Sequence, residues 1–137
     1  MSVEIQLYRG DINVQNGFVQ LVSKEDKLYQ QMSKLLMTDR GGYFHPEYGS
    51  GLYNLVGRYQ APDVMQPLAE DDIRNCIIYY QSIQTEQEFY QELDDDEVLM
   101  RLLSALVTPV TSTAFRVDIN VMNRKANELN VTSVQGY

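Results

Sequence analysis

Ile12 and Val14 alternate with polar residues up to Asn16-Gly17, and Val19 and Leu21 alternate beyond it. Period-two alternation on both sides of Asn-Gly predicts a β-hairpin closed by a type I′ turn, whose two central residues need positive φ. Ile5 and Leu7 make a further extended segment upstream, interrupted at Gly10-Asp11. Ser23 and Asp26 resemble a capping box with aspartate in place of glutamate, and open a helix to about Met37. Leu28, Met32, Leu35 and Leu36 share one face of it. A longer helix is entered at Pro62 and Pro67, where proline suits only the first turn. Its stripe is Ala69, Ile73, Cys76, Ile77, Tyr80 and Ile83, and it extends as far as Phe89 and Tyr90. The polar run after Ile83 weakens the stripe, so that end projects from the body or meets a partner.

Leu93-Asp94-Asp95-Asp96-Glu97 reads as caps and first-turn acids for a short helix around Val98 to Leu102. Ala105 and Val107 then begin a strand that ends at Pro109. Phe115, Val117, Ile119 and Val121 alternate with Arg116, Asp118 and Asn120, and a polar turn from Asn123 to Asn127 returns into Leu129 and Val131. The expected fold is α+β. It comprises an N-terminal β-hairpin, two main helices joined by a glycine and aromatic loop, a short helix and a C-terminal antiparallel β-meander. No repeat or linker divides residues 1–137, so a single domain is expected.

The loop from Arg40 to Leu52 holds four glycines, one proline and three aromatic rings, too many constraints for an ordinary connector. Tyr43, Phe44 and Tyr48 supply apolar area for docking on the body. Composition favours a packed Ω-type connection over a recognition loop.

Charge and chemistry narrow the function classes. A net charge of −8 argues against nucleic acid, which calls for a basic stripe. No apolar run is long enough to span a bilayer, and no leader-like apolar segment opens the chain, so a soluble protein made in the cytoplasm is expected. One cysteine and one histidine leave no disulfide and no usual zinc site, and the consecutive acids at 94–97 lack calcium-loop spacing; no metal or cofactor is expected. Cys76 reads as a small buried hydrophobe. His45 is the candidate base, but Ser50 has no nucleophile-elbow signature beside it. Glycoside cleavage would pair Glu47 with Asp63, Glu70, Asp71 or Asp72, and among 19 acids some pair can always be nominated. Assembly is the stronger class: Phe115–Val121 and Leu129–Val134 form a strand pair able to offer an open edge to another chain.

The string from Leu35 to Leu52, in which a leucine-rich helix end leads through Thr38 and Arg40-Gly41 to Pro46-Glu47-Tyr48-Gly49-Ser50-Gly51-Leu52, resembles the signature of the baseplate wedge and sheath-initiator family. Members of that family occur in contractile phage tails, R-type pyocins and type VI secretion baseplates. Gly10-Asp11-Ile12 with Asn16-Gly17, and Tyr80-Gln81, Gln84 and Gln87, are similar to the family's entry hairpin and glutamine-rich helix. The family's Glu-Pro-Arg triplet is missing from Leu93–Val98. The resemblance implies a non-enzymatic virion protein of the tail baseplate. Its implied partners are the tail sheath protein, baseplate wedge proteins, and tail tube or hub proteins, with no nucleic acid or membrane. It marks Arg40, Gly41, Pro46, Glu47, Tyr48, Gly49, Ser50 and Leu52 as the motif loop. Phe115, Val117, Ile119, Val121, Leu129 and Val131 become the sheath-interaction strands. Some members carry a lysozyme-like label, which makes a peptidoglycan hydrolase of the tail the alternative.

Overall fold

Asn16 (φ 53°) and Gly17 (φ 79°) take the left-handed conformations that the hairpin pattern calls for. They close β4 (Val14–Gln15) onto β5 (Phe18–Val19). The computed structural model describes residues 3–8, 11–41, 47–52, 55, 62–111 and 114–136. Around this hairpin lie two more short antiparallel ladders, β1 (Val3–Ile5) with β6 (Leu21–Ser23) and β2 (Leu7–Tyr8) with β3 (Asp11–Ile12). The three ladders meet at Gln6, Asn13 and Gln20, whose backbones close a ring. Gln6 N–H donates to the Gln20 carbonyl (2.8 Å), Asn13 N–H to Gln6 (2.9 Å) and Gln20 N–H to Asn13 (2.9 Å). The expected single hairpin is therefore one blade of a three-way junction. A seven-residue recurrence of apolar, amide, apolar at 5–7, 12–14 and 19–21 builds it, in place of the expected absence of any repeat.

The first helix, α1 (Lys24–Met37), buries Leu28, Met32, Leu35 and Leu36, the predicted face. Ser23 is its N-cap residue but makes no side-chain capping bond. The second, α2 (Pro62–Gln87), buries Met65, Ala69, Ile73, Cys76, Ile77 and Tyr80. It stops before Phe89 and Tyr90, which lie exposed in the following turn, and Pro67 sits inside it rather than at its entry. Between the helices Leu55 N–H bonds the Gly51 carbonyl (3.1 Å) in a helical turn.

The terminal sheet has the order β7–β8–β9, with β7 (Leu99–Thr111), β8 (Ala114–Asn123) and β9 (Glu128–Gly136) all antiparallel. Its inner face packs Phe115, Val117, Ile119, Val121, Leu129 and Val131 into one core with both helices. The outer face carries a polar ladder. Asp118 pairs with Arg116 (2.9 Å) and accepts from Thr132 (2.8 Å), while Asn130 donates to Asn120 and Asn120 to Ser104 (2.9 and 2.8 Å).

The expected helix at Val98–Leu102 is instead the start of β7, because Leu99 and Leu102 pair with Asn123 and Val121 across the sheet. Two bulges between Leu99 and Ser104 disturb its alternation and hide it from a periodicity reading. The strand also runs through Pro109, on an edge that tolerates it. The acids before it do not cap a helix; Asp95 and Asp96 face Arg124 (3.6 Å) and Lys125 (3.4 Å), and buried Glu97 faces Lys27 (3.4 Å).

Glutamine amides cover the β7 edge. Gln84 on α2 donates to the Glu97 carbonyl (2.7 Å) and accepts from Leu99 N–H (2.8 Å). Gln66 does the same for Ala105 and Val107 (3.1 Å each), and Gln81 donates to Met100 (2.6 Å). A side-chain amide that spans the carbonyl of one residue and the N–H two further on replaces one residue of a neighbouring strand. Replacing Gln84 with Leu leaves two buried backbone groups without partners, at about 1–3 kcal/mol each. We expect urea unfolding to show Q84L destabilised by about 2–5 kcal/mol and Q81L, at an exposed single bond, by no more than about 1. Equal losses would overturn this account of the edge.

Candidate functional site: the glycine loop and the open sheet edge

The described part of the motif loop is clamped between the end of α1 and the middle of α2. Ser50 N–H donates to the Thr38 carbonyl (2.8 Å), Arg40 N–H to the Ser50 carbonyl (3.0 Å), and the buried Ser50 hydroxyl to the Leu36 carbonyl (2.8 Å). Gly49 makes that approach possible. Its φ is +108°, and a Cβ on it would stand 2.5 Å from the Thr38 carbonyl oxygen.

From α2, Asp72 holds both ends of the loop: one oxygen pairs with Arg40 (2.8 Å), the other accepts from Gly51 N–H (2.8 Å). One turn on, the Cys76 thiol donates to the Gly49 carbonyl (3.1 Å) and lies 3.4 Å from the Arg40 guanidinium. Burial lowers the guanidinium's affinity for its proton, but the charge and hydrogen bond of Asp72 raise it further, so Arg40 stays charged. Burial pushes the Cys76 thiol up to about 11, with the negative charge of Asp72 adding to the shift. The thiol is thus a neutral donor at physiological pH, a part that an apolar-stripe reading of Cys76 misses.

Of the motif residues, Arg40, Gly49, Ser50 and buried Leu52 join this clamp or its core, and Tyr48 packs against that core. Gly41 has φ +91° in open space, and Glu47 is exposed. Pro46, with Tyr43, Phe44 and His45, lies outside the described residues. For the glycosidase pairing, exposed Glu47 borders a cleft of about 280 Å³ that Arg40, Asn75, Cys76 and Tyr79 also line, and Asp72 is engaged by Arg40 and Gly51. The deeply buried acid is Glu97, beside a small cavity of about 90 Å³ that Lys27, Tyr48 and Tyr80 also line. Among the described residues no group of three or more His, Cys, Asp or Glu could hold a metal ion.

The six residues nominated for sheath contact all point into this chain's own core. Their side chains are unavailable to a partner, and β8 is paired on both sides. What the strand pair can offer is the outer backbone edge of β9. Thr132 marks its direction: its carbonyl points away from β8 and receives a 3.4 Å contact from the Tyr29 hydroxyl. Residues two apart on a strand share an edge, so Asn130 and Val134 expose their backbone groups on the same side.

No protein-family model and no curated protein matches the sequence. Among solved structures the fold is similar to that of a candidate tail lysozyme from Geobacter sulfurreducens. The TM-score is 0.60 at 17% identity, covering 82% of this chain and 89% of that one. The likeness is one of fold.

Two consequences of the clamp are measurable. Gly49→Ala meets both a strained φ and a backbone oxygen and costs about 3 kcal/mol or more, whereas Gly41→Ala meets only the φ penalty of about 1 kcal/mol. Calorimetric melting of the pair checks this; similar losses would count against the close approach at Gly49. The Cys76 thiol keeps its proton longer in the folded than in the unfolded chain, so its stabilisation is complete below its ordinary value of 9.0 and declines as pH rises toward about 11. Unfolding free energy should fall between pH 9 and 10 with a slope of up to about 1.4 kcal/mol per unit, and Cys76→Ala should flatten it.

Proposed function

We propose that this chain is a structural protein of a contractile tail baseplate. In this reading it initiates the tail sheath by offering the β9 edge to a strand of the first sheath ring. The clamp on the motif loop fixes that edge relative to the helices that dock on wedge and tube proteins, and no catalytic step is involved. The observation that carries the proposal is the asymmetry of the sheet: on one edge α2 glutamines pair backbone groups of Leu99, Met100, Ala105 and Val107, while among the described residues no such amides meet β9, whose Thr132 carbonyl faces outward. Strand addition satisfies unpaired amides and carbonyls and needs no new side-chain pocket. The resemblance of the Leu35–Leu52 string to sheath initiators supports the same role. So does the fold's likeness to a candidate tail lysozyme, which supports a virion-tail location for the chain, with synthesis in the host cytoplasm as part of the same reading.

Val134→Pro tests the edge, because this N–H faces outward and proline removes it without breaking the β8–β9 ladder. In a contractile-tail system carrying this chain, the variant is expected to melt within about 1 kcal/mol of wild type. It should enter baseplates and yield tubes without sheath; normally sheathed tails would overturn the reading. Purified protein is expected to leave peptidoglycan suspensions turbid at acidic and neutral pH. Clearing that is lost on Glu97→Gln would replace assembly with hydrolysis.

A further inference from the structure

The three-way junction at the N-terminus has two unlike faces. Gln6, Asn13 and Gln20 are half-buried at its centre, and the Gln6 and Asn13 side chains are joined to each other (2.8 Å). From α1, Gln30 bonds the Ile5 carbonyl (2.9 Å), Leu7 N–H (2.8 Å) and Glu4 (3.0 Å), fixing the junction to the helix. The residues on either side of each central amide are all aliphatic. They oppose one another in directly facing pairs, Ile5 with Leu21, Leu7 with Ile12, and Val14 with Val19. Opposed pairs point the same way, as do residues two apart on an extended chain. The register therefore gathers six aliphatic side chains on one side, and each is between 36% and 59% exposed.

We infer that this face is a docking surface for an uncharged, aliphatic patch on a neighbouring protein of the tail, a contact separate from the β9 edge. The inference rests on the tail reading above. Area and charge select the occupant. The exposed apolar area is on the order of 500 Å², the size of the largest patches on monomers, which often serve binding. A second copy seated on it would bury about 1,000 Å² in all, only the lower limit for a specific interface. A partner already held at β9 has no such requirement, since a tethered second contact is favourable at small area. Residues 1–24 contain two acids, Glu4 and Asp11, and two bases, Arg9 and Lys24, so the whole net charge of −8 lies in the rest of the chain. This is the end that approaches an uncharged surface without carrying the acidic excess into the contact. Its side chains offer neither donors nor acceptors, so an aliphatic surface leaves nothing unpaired.

The test uses assembled tails carrying the full chain with a photo-crosslinking amino acid at Val14, together with Val14→Lys. The expected result is a cross-link from position 14 to another tail protein, at a peptide rich in Ile, Leu, Val or Ala. Val14→Lys should lose that contact and lower incorporation of the chain into tails at least tenfold, with an unchanged thermal melt of the isolated protein. A cross-link only to a second copy of this chain, or wild-type incorporation of Val14→Lys with no cross-link, overturns the inference and leaves the tail role standing. Absence of the wild-type chain from purified tails overturns both.

Discussion

A three-stranded antiparallel sheet has two edges, and among the described residues one helix, α2, is long enough to run the length of one of them. That constraint organises the molecule. The 26 residues of α2 cross the inner face beside β7, and the helix's buried stripe and its edge-facing glutamines lie on adjoining sides. Gln84 supplies both halves of an amide at the buried end, and Gln66 repeats the arrangement near the other. On the far side α1 packs against β9 and reaches it through Tyr29, and among the described residues no side-chain amide pairs with β9 as Gln66 and Gln84 do with β7. The covered edge and the helix's share of the core thus come from one packing arrangement, the placement of α2.

The motif loop acts on that placement. Asp72 and Cys76 sit one turn apart in the middle of α2 and take hold of Arg40, Gly49 and Gly51, while Ser50 holds the last turn of α1. Two helices that share one small core could slide along their apolar stripes with little penalty; directional bonds through an intervening loop remove that freedom. Glycine is needed at position 49 because the loop backbone comes so close to the Thr38 carbonyl that no Cβ fits between them.

Legibility in the sequence followed the range of the interactions. The face of α1, the Asn16-Gly17 turn and the alternation of β8 depend on residues a few positions apart, and periodicity found them. The strand at Leu99–Thr111 was hidden because bulges break its period and because its first residues, Leu-Met-Arg-Leu-Leu, suit a helix equally well. Within the loop, the composition showed stiffness but not its cause, since Asp72 and Cys76 lie more than twenty residues away and neither type announces its partner. Glutamines 66 and 84 left only a weak trace, amides on a helix that otherwise ends in a polar run. The junction at Gln6, Asn13 and Gln20 was the least legible, because its two-residue ladders carry too little alternation to call and its ring exists only once all three are formed.

That ring also limits how the chain can vary. Three bonds in a closed circuit fix how successive corners sit against one another, so no residue can be gained or lost at the corners themselves. A residue added at Asn13 would put every later side chain on the opposite face and open the circuit. One added at the Asn16-Gly17 tip would lengthen a blade and leave the centre intact. The N-terminus is thereby a fixed frame with replaceable tips, a place where contact surfaces can diversify without disturbing the body that carries them.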